Sequence, residues 1–152
     1  MSNASNNQGR AYEFVCLNSL YEAINKVRPA KIVKNNSYLV AENGKTAIME
    51  SASKNPDIIL LDLGLPDIDG VEVIKHIRSW SNVPIIVISA RSEDSDKIGA
   101  LDAGADDYLT KPFSVEELLA RLRVTQRRLA LMGNEQMNQT VFTNGKLKID
   151  YV

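Results

Sequence analysis

Short apolar runs at Tyr38–Ala41, Asp57–Leu61 and Val83–Ser89, and a weaker one at Asp107–Leu109, punctuate the chain at regular intervals. Each is three to seven residues long and bounded by polar or turn-forming residues, as strands are. Between them apolar positions recur at helical spacing. Lys45–Ser53 is one such segment, and Asp94–Ala103 another. Val71–Trp80 is a third, with Val73, Ile74, Ile77 and Trp80 on one face. A last helix opens on a capping box, Ser114 and Glu117, and carries Val115, Leu118, Leu119 and Leu122 on its apolar stripe. Upstream, Phe14–Leu17 reads as a first strand, and Leu20, Ile24 and Val27 begin a helical pattern that Pro29 interrupts. Strands alternating with helices of this length predict an α/β fold: a doubly wound, parallel, five-stranded sheet with helices on both faces and an atypical first βα unit.

Beyond Arg127 and Arg128, which close the last helix, Met132–Thr140 is polar and weakly patterned and reads as a linker over residues 130–140. The tail VFTNGKLKIDYV alternates around Asn144–Gly145, a hairpin signal. A lone hairpin is marginal in water, so residues 141–152 read as the start of a second domain. Residues 11–129 would form the first domain. The opening Met-Ser-Asn-Ala has the character of an expression tag, and residues 1–10 are read as tag and disordered N-terminus.

Composition narrows the class without naming a function. At 152 residues, 44% hydrophobic and 24% charged, the chain suits one globular domain and a remainder. A net charge of -1 gives no general pull toward nucleic acid or membrane. A single cysteine, Cys16, precludes an internal disulfide and fits a reducing cytoplasm. No apolar run approaches the ~18–20 residues that span a bilayer.

Three chemically distinct groups fall at strand ends. Asp62 follows Ile58–Leu61, Ser89 closes VPIIVIS, and Lys111 lies in GADDYLTKPF. In doubly wound sheets the functional crevice is at the carboxyl ends of the strands. A carboxylate, a hydroxyl and an ammonium converging there make a site for receiving a phosphoryl group. An aspartate nucleophile needs positive charge to offset the crowded anionic oxygens, which a lysine and a divalent ion supply. The bland alternatives are a turn aspartate before Pro66 and Gly70, a small core serine and a surface lysine. Asp67 and Asp69 read as turn formers, His76 as a solvated helix residue and Cys16 as core packing.

The motifs LDLGLPDIDG and SARSEDSDKIGALDAGADDYLTKPF closely resemble the receiver domains of bacterial response regulators of the OmpR/PhoB type, nearest to regulators of potassium-responsive Kdp two-component systems. The likeness covers roughly residues 40 to 128. It implies a flavodoxin-like receiver fold, with Asp62 as phospho-acceptor and a sensor histidine kinase as donor. It further implies that Ser89 hydrogen-bonds the phosphoryl oxygens and that Tyr108 turns inward as it does so. Lys111 would pair with the carboxylate and later the phosphate, and the Lys111–Pro112 bond would be cis. The domain would signal rather than act as an enzyme, with at most slow self-phosphorylation and self-dephosphorylation. The tail resembles the first strands of the family's winged-helix DNA-binding domain, so DNA would be bound only through an effector domain whose recognition helix is absent from this sequence.

One part of the family pattern is missing. Receivers end their first strand with two acidic residues that carry Mg²⁺, and the family spacing puts that pair at Asn18 and Ser19. Asp62 and the Gly64 backbone would remain as metal donors, so Mg²⁺ would be weakly bound or absent. Three explanations stand open: a diverged pseudo-receiver, an altered N-terminal stretch from a frameshift or chimeric junction, or an acid supplied from elsewhere, such as Asp67 or Glu22. The resemblance also implies a two-fold dimer face. It pairs Lys97 with Glu117, Asp107 with Arg121 and Asp106 with Arg128 across two copies, against the alternative of a solvated charged face. A phosphorylation-independent dimerisation module is the main rival function. A haloacid-dehalogenase-type phosphatase is disfavoured because Gly64 stands where its second aspartate belongs, and an FMN binder because no hydroxyl- and glycine-rich loop follows the first strand.

Overall fold

The computed structural model describes residues 13–17 and 37–142, with side chains for residues 14–16 and 37–132. Asn18, Ser19, Glu22, the Leu20–Pro29 segment, residues 1–12 and the tail from residue 143 lie outside the described residues. Five strands form one parallel sheet: β1 (Glu13–Leu17), β2 (Ser37–Ala41), β3 (Ile58–Leu61), β4 (Ile85–Ser89) and β5 (Asp107–Thr110). Their spatial order is β2-β1-β3-β4-β5. That order is the flavodoxin-like doubly wound topology, and it reverses direction between β1 and β3. Four helices are described: α1 (Gly44–Lys54), α2 (Gly70–Arg78), α3 (Asp94–Ala103) and α4 (Val115–Phe142).

The central strands explain the near-continuous apolar runs. Ile58, Ile59, Leu60 and Leu61 of β3 and Ile85–Ile88 of β4 are fully buried, as strands covered on both faces must be. Register follows: Cys16 lies opposite Leu60, Leu60 opposite Ile86, and Val87 opposite Tyr108. Strand β4 begins at Ile85 rather than Val83 because Pro84 has no N–H to donate. Its carbonyl still accepts from the Ile59 N–H at 2.9 Å.

Helix ends are set by local chemistry. Asn43 caps α1 by accepting the Thr46 N–H, and Asp69 caps α2 by accepting the Val71 N–H. Gly104 stops α3 at φ 123°, a conformation L side chains rarely adopt. Ser114 accepts the Glu117 N–H at 3.0 Å, so the expected cap of α4 is present. Gly70 is required by close approach: a Cβ there would lie 2.6 Å from Leu63 Cα and 2.7 Å from the Asp62 carbonyl oxygen.

The chain divides into two compact units, residues 1–118 and 119–152, with the boundary inside α4. In the first, Val115 and Leu118 are buried; in the second, Leu122 and Thr125 are, and Thr125 donates its hydroxyl to the Arg121 carbonyl. Helix α4 continues to Phe142, through the stretch read as an unpatterned linker and through Val141 and Phe142, where a strand was expected. The segment lacks apolar periodicity, yet Glu135, Gln136, Met137 and Gln139 are good helix formers that offset Gly133 and the weaker Asn134, Asn138 and Thr140.

Candidate functional site

The apolar run of β3 fixes Asp62 at the mouth of the sheet, one residue past the strand's end. Its side chain is largely covered, and both carboxylate oxygens are engaged. Oδ2 accepts from Lys111 Nζ at 3.0 Å, and Oδ1 accepts from the Gly64 N–H at 3.1 Å. Lys111 is delivered from beyond β5, where its own N–H donates to the Ser89 carbonyl at 2.8 Å, and its bond to Pro112 is cis as expected. Ser89 ends β4 fully buried, with its hydroxyl oxygen accepting the Arg91 N–H at 3.2 Å. Tyr108 reaches from β5 to donate its hydroxyl to the Arg91 carbonyl at 2.7 Å. Burial pushes the Tyr108 phenol above its ordinary pKa. A hydrogen bond with the Ser89 hydroxyl works against that rise, and the nearby Asp62 carboxylate adds to it. Asp62, Ser89, Tyr108 and Lys111, drawn from three separate strand ends, thus share one mouth.

The acidic loop after Asp62 is built differently from its sequence reading. Asp67 is more than a turn former: its carboxylate accepts from the Gly44 N–H at 2.8 Å and the Lys45 N–H at 3.0 Å, at the N-terminus of α1. The Lys45 amide, with other backbone N–H groups, holds the carboxyl below the usual range. Asp69 caps α2 and also meets Arg91 Nη1 at 3.5 Å. Arg91 was not singled out from the sequence, since nothing in SARSED shows that both its backbone groups and its guanidinium would be used at the mouth.

Among the described residues no group of three or more His, Cys, Asp or Glu side chains converges as a metal cage. The described donors expected for Mg²⁺ reduce to the Asp62 carboxylate and the Gly64 backbone.

Of the predicted dimer residues, Lys97 lies on α3 beside the exposed apolar residues Ile98 and Leu101. Asp106 is engaged within the chain: Oδ2 accepts from Arg78 Nη2 at 2.9 Å and from the Ile85 N–H at 2.8 Å. Asp107 accepts its neighbour Tyr108's N–H, while Glu117, Arg121 and Arg128 lie along α4. Arg78 was also missed; it donates to the Gly104 and Ser81 carbonyls as well, and so links the end of α2 to the loop before β5.

A 2-1-3-4-5 parallel sheet with an aspartate, a buried hydroxyl and a lysine at its carboxyl mouth defines a receiver-type α/β domain. The model of the response regulator receiver domain matches residues 28–123, and the chain belongs to this family. It is 64% identical over 88 residues to the KDP operon transcriptional regulatory protein KdpE of Escherichia coli K12, covering 58% of this chain and 39% of that protein. To the transcriptional regulatory protein KdpE of Mycobacterium tuberculosis H37Rv it is 50% identical over 118 residues, covering 78% and 51%. The chain therefore spans about half or less of the length of these curated relatives. Similar solved structures include the receiver domain of the Francisella response regulator 1452, with a TM-score of 0.69 at 30% identity over 78% of this chain and 98% of that one. The BeF3-activated N-terminal receiver domain of Klebsiella pneumoniae RstA gives a TM-score of 0.68 at 29% identity, over 76% and 98%. Among the described residues no helix is long and apolar enough to cross a membrane.

Proposed function

We propose that this chain is the cytoplasmic receiver of a Kdp-type transcription regulator, accepting a phosphoryl group on Asp62 from a sensor histidine kinase. The observation that carries this reading is the Lys111–Asp62 contact at 3.0 Å, with the buried Ser89 at the end of the neighbouring strand and its carbonyl accepting the Lys111 N–H. In the transfer an Asp62 oxygen forms the new P–O bond as the P–N bond to the donor imidazole breaks. Negative charge moves outward onto the phosphoryl oxygens, where the Lys111 ammonium can follow it. The Ser89 hydroxyl, an acceptor before transfer, can rotate to donate to a phosphoryl oxygen. A bound Mg²⁺ would neutralise charge on those oxygens; the described donors predict weak binding, so Lys111 carries more of that load here.

Output in this reading is dimerisation through Lys97, Asp106, Asp107 and Glu117 together with Arg121 and Arg128 further along α4. The exposed Ile98 and Leu101 beside Lys97 support it. Asp106 would have to share its carboxylate between Arg78 and the partner's arginine. DNA would be contacted only through an effector domain that begins near residue 141, with the preceding residues as its connection. The half-length match to KdpE relatives supports that division.

Incubation with phosphoramidate and Mg²⁺, followed by intact-mass measurement, tests the chemistry. One added phosphoryl group is expected, and Asp62→Asn should abolish it. No gain in the parent chain would instead favour a dimerisation module independent of phosphorylation. Arg121→Glu should weaken a dimer seen by sedimentation, and an unchanged dimer would place the interface elsewhere.

A further inference from the structure

Asp62 and Ser89 lie at the ends of different strands, and Arg91 touches both Ser89 and the loop that follows Asp62. The Arg91 N–H donates to Ser89 Oγ at 3.2 Å, and its carbonyl accepts the Tyr108 hydroxyl at 2.7 Å. Its guanidinium reaches across the mouth to Asp69 Oδ1 at 3.5 Å, and Asp69 ends the loop that begins at Asp62. We infer that Arg91 is a positioning residue: the Arg91–Asp69 ion pair ties the acceptor loop to the loop on which Ser89 and Tyr108 are held. This rests on the roles proposed above for Ser89 and Tyr108, and adds a connection between them and the acceptor loop.

The link is weak by construction. The pair is long, with side chains 40% and 48% exposed, so screening by water and salt limits it. A weak link suits the role proposed for Tyr108, in which its ring moves between two positions. Fixing the Arg91 carbonyl favours the inward one without locking it. Acting alone, such a pair changes a two-state ratio by at most about fivefold.

The two ends of the link can be cut separately. Asp69→Asn removes the charge but keeps a side-chain oxygen to cap α2, since asparagine and aspartate cap about equally well. Arg91→Met removes the guanidinium but keeps the backbone groups that meet Ser89 and Tyr108. The full chain would be labelled with 3-fluorotyrosine and studied by ¹⁹F NMR, the Tyr108 resonance being assigned with Tyr108→Phe. No phosphodonor is present, so a failure of Asp62 to take up a phosphoryl group would not affect the result. Each variant should lower the inward ring population by up to about fivefold, the double variant should do no more than either, and Arg91→Lys should restore most of the loss. Salt at about 1 M should shift the parent toward the variants and leave the variants unmoved. An unmoved Tyr108 resonance in both variants would overturn the inference. So would a response to Asp69→Asn alone, which would assign the effect to the end of α2, or additive effects in the double variant.

Discussion

Gly70 opens α2, where helix propensity alone favours alanine by up to about 1 kcal/mol. Its surroundings predict the opposite sign. An added Cβ would sit 2.6 Å from Leu63 Cα and 2.7 Å from the Asp62 carbonyl oxygen. Carbon atoms in contact prefer about 3.5–4.0 Å, so the overlap approaches 1 Å. Both opposing atoms are backbone and cannot swing aside as a flexible side chain could. The acceptor loop would have to shift, straining the Gly70 N–H to Leu63 carbonyl bond at 3.0 Å. Overpacking of this kind costs about 1–3 kcal/mol, leaving up to about 2 kcal/mol net after the full propensity gain. For a chain of this size that lowers Tm by up to about 8 °C. Thermal unfolding followed by circular dichroism would measure it, with Gly99→Ala as a matched control. Gly99 lies within α3 with nothing inside 4 Å of a built Cβ, so alanine there should raise Tm by about 2–4 °C. A Gly70→Ala chain as stable as Gly99→Ala would refute the close-approach argument.

Asp67 gives a pH-dependent prediction. Its carboxyl is held below the ordinary value, so the stability it contributes is present above the unfolded-state pKa and is lost as pH falls through the folded one. Asp67→Ala should therefore lower the urea midpoint at about pH 7, with the difference from the parent closing as the pH falls below the ordinary aspartate value of about 3.9. A difference that persists at low pH would mean the carboxylate's charge is not the source. Arg78→Met removes three hydrogen bonds from a side chain that is only 18% exposed and should destabilise the chain by about 2–3 kcal/mol at unchanged m-value in urea titration. A loss under about 0.5 kcal/mol would show that the Ile85 N–H and neighbouring groups hold Asp106 without it.

Strands β3 and β4 were legible because burial on both faces writes itself as an unbroken apolar run, and β5 was faint because only Leu109 of its four residues is buried. Asp62, Ser89 and Lys111 were legible for a related reason: polar groups at the ends of apolar strands stand out against what precedes them. Asp67 was not, because the amides it binds lie 22 and 23 residues earlier in the chain. Arg78 and Gly104 meet only through the fold, and neither position carries a local pattern that announces the other. The length of α4 was misjudged because propensity, not periodicity, sustains the helix beyond Arg128.

Cys16 is the only cysteine in the sequence, and it sits on β1 with β2 on one side and β3 on the other. Its side chain is wholly buried, and burial pushes the thiol pKa up to about 12, so it is neither reachable nor nucleophilic while the sheet is intact. The protein thereby contains its own clock for opening. Any reagent that modifies this sulfur reports how often β1 leaves its neighbours, and so how often the middle of the sheet opens beside the strand that leads to Asp62.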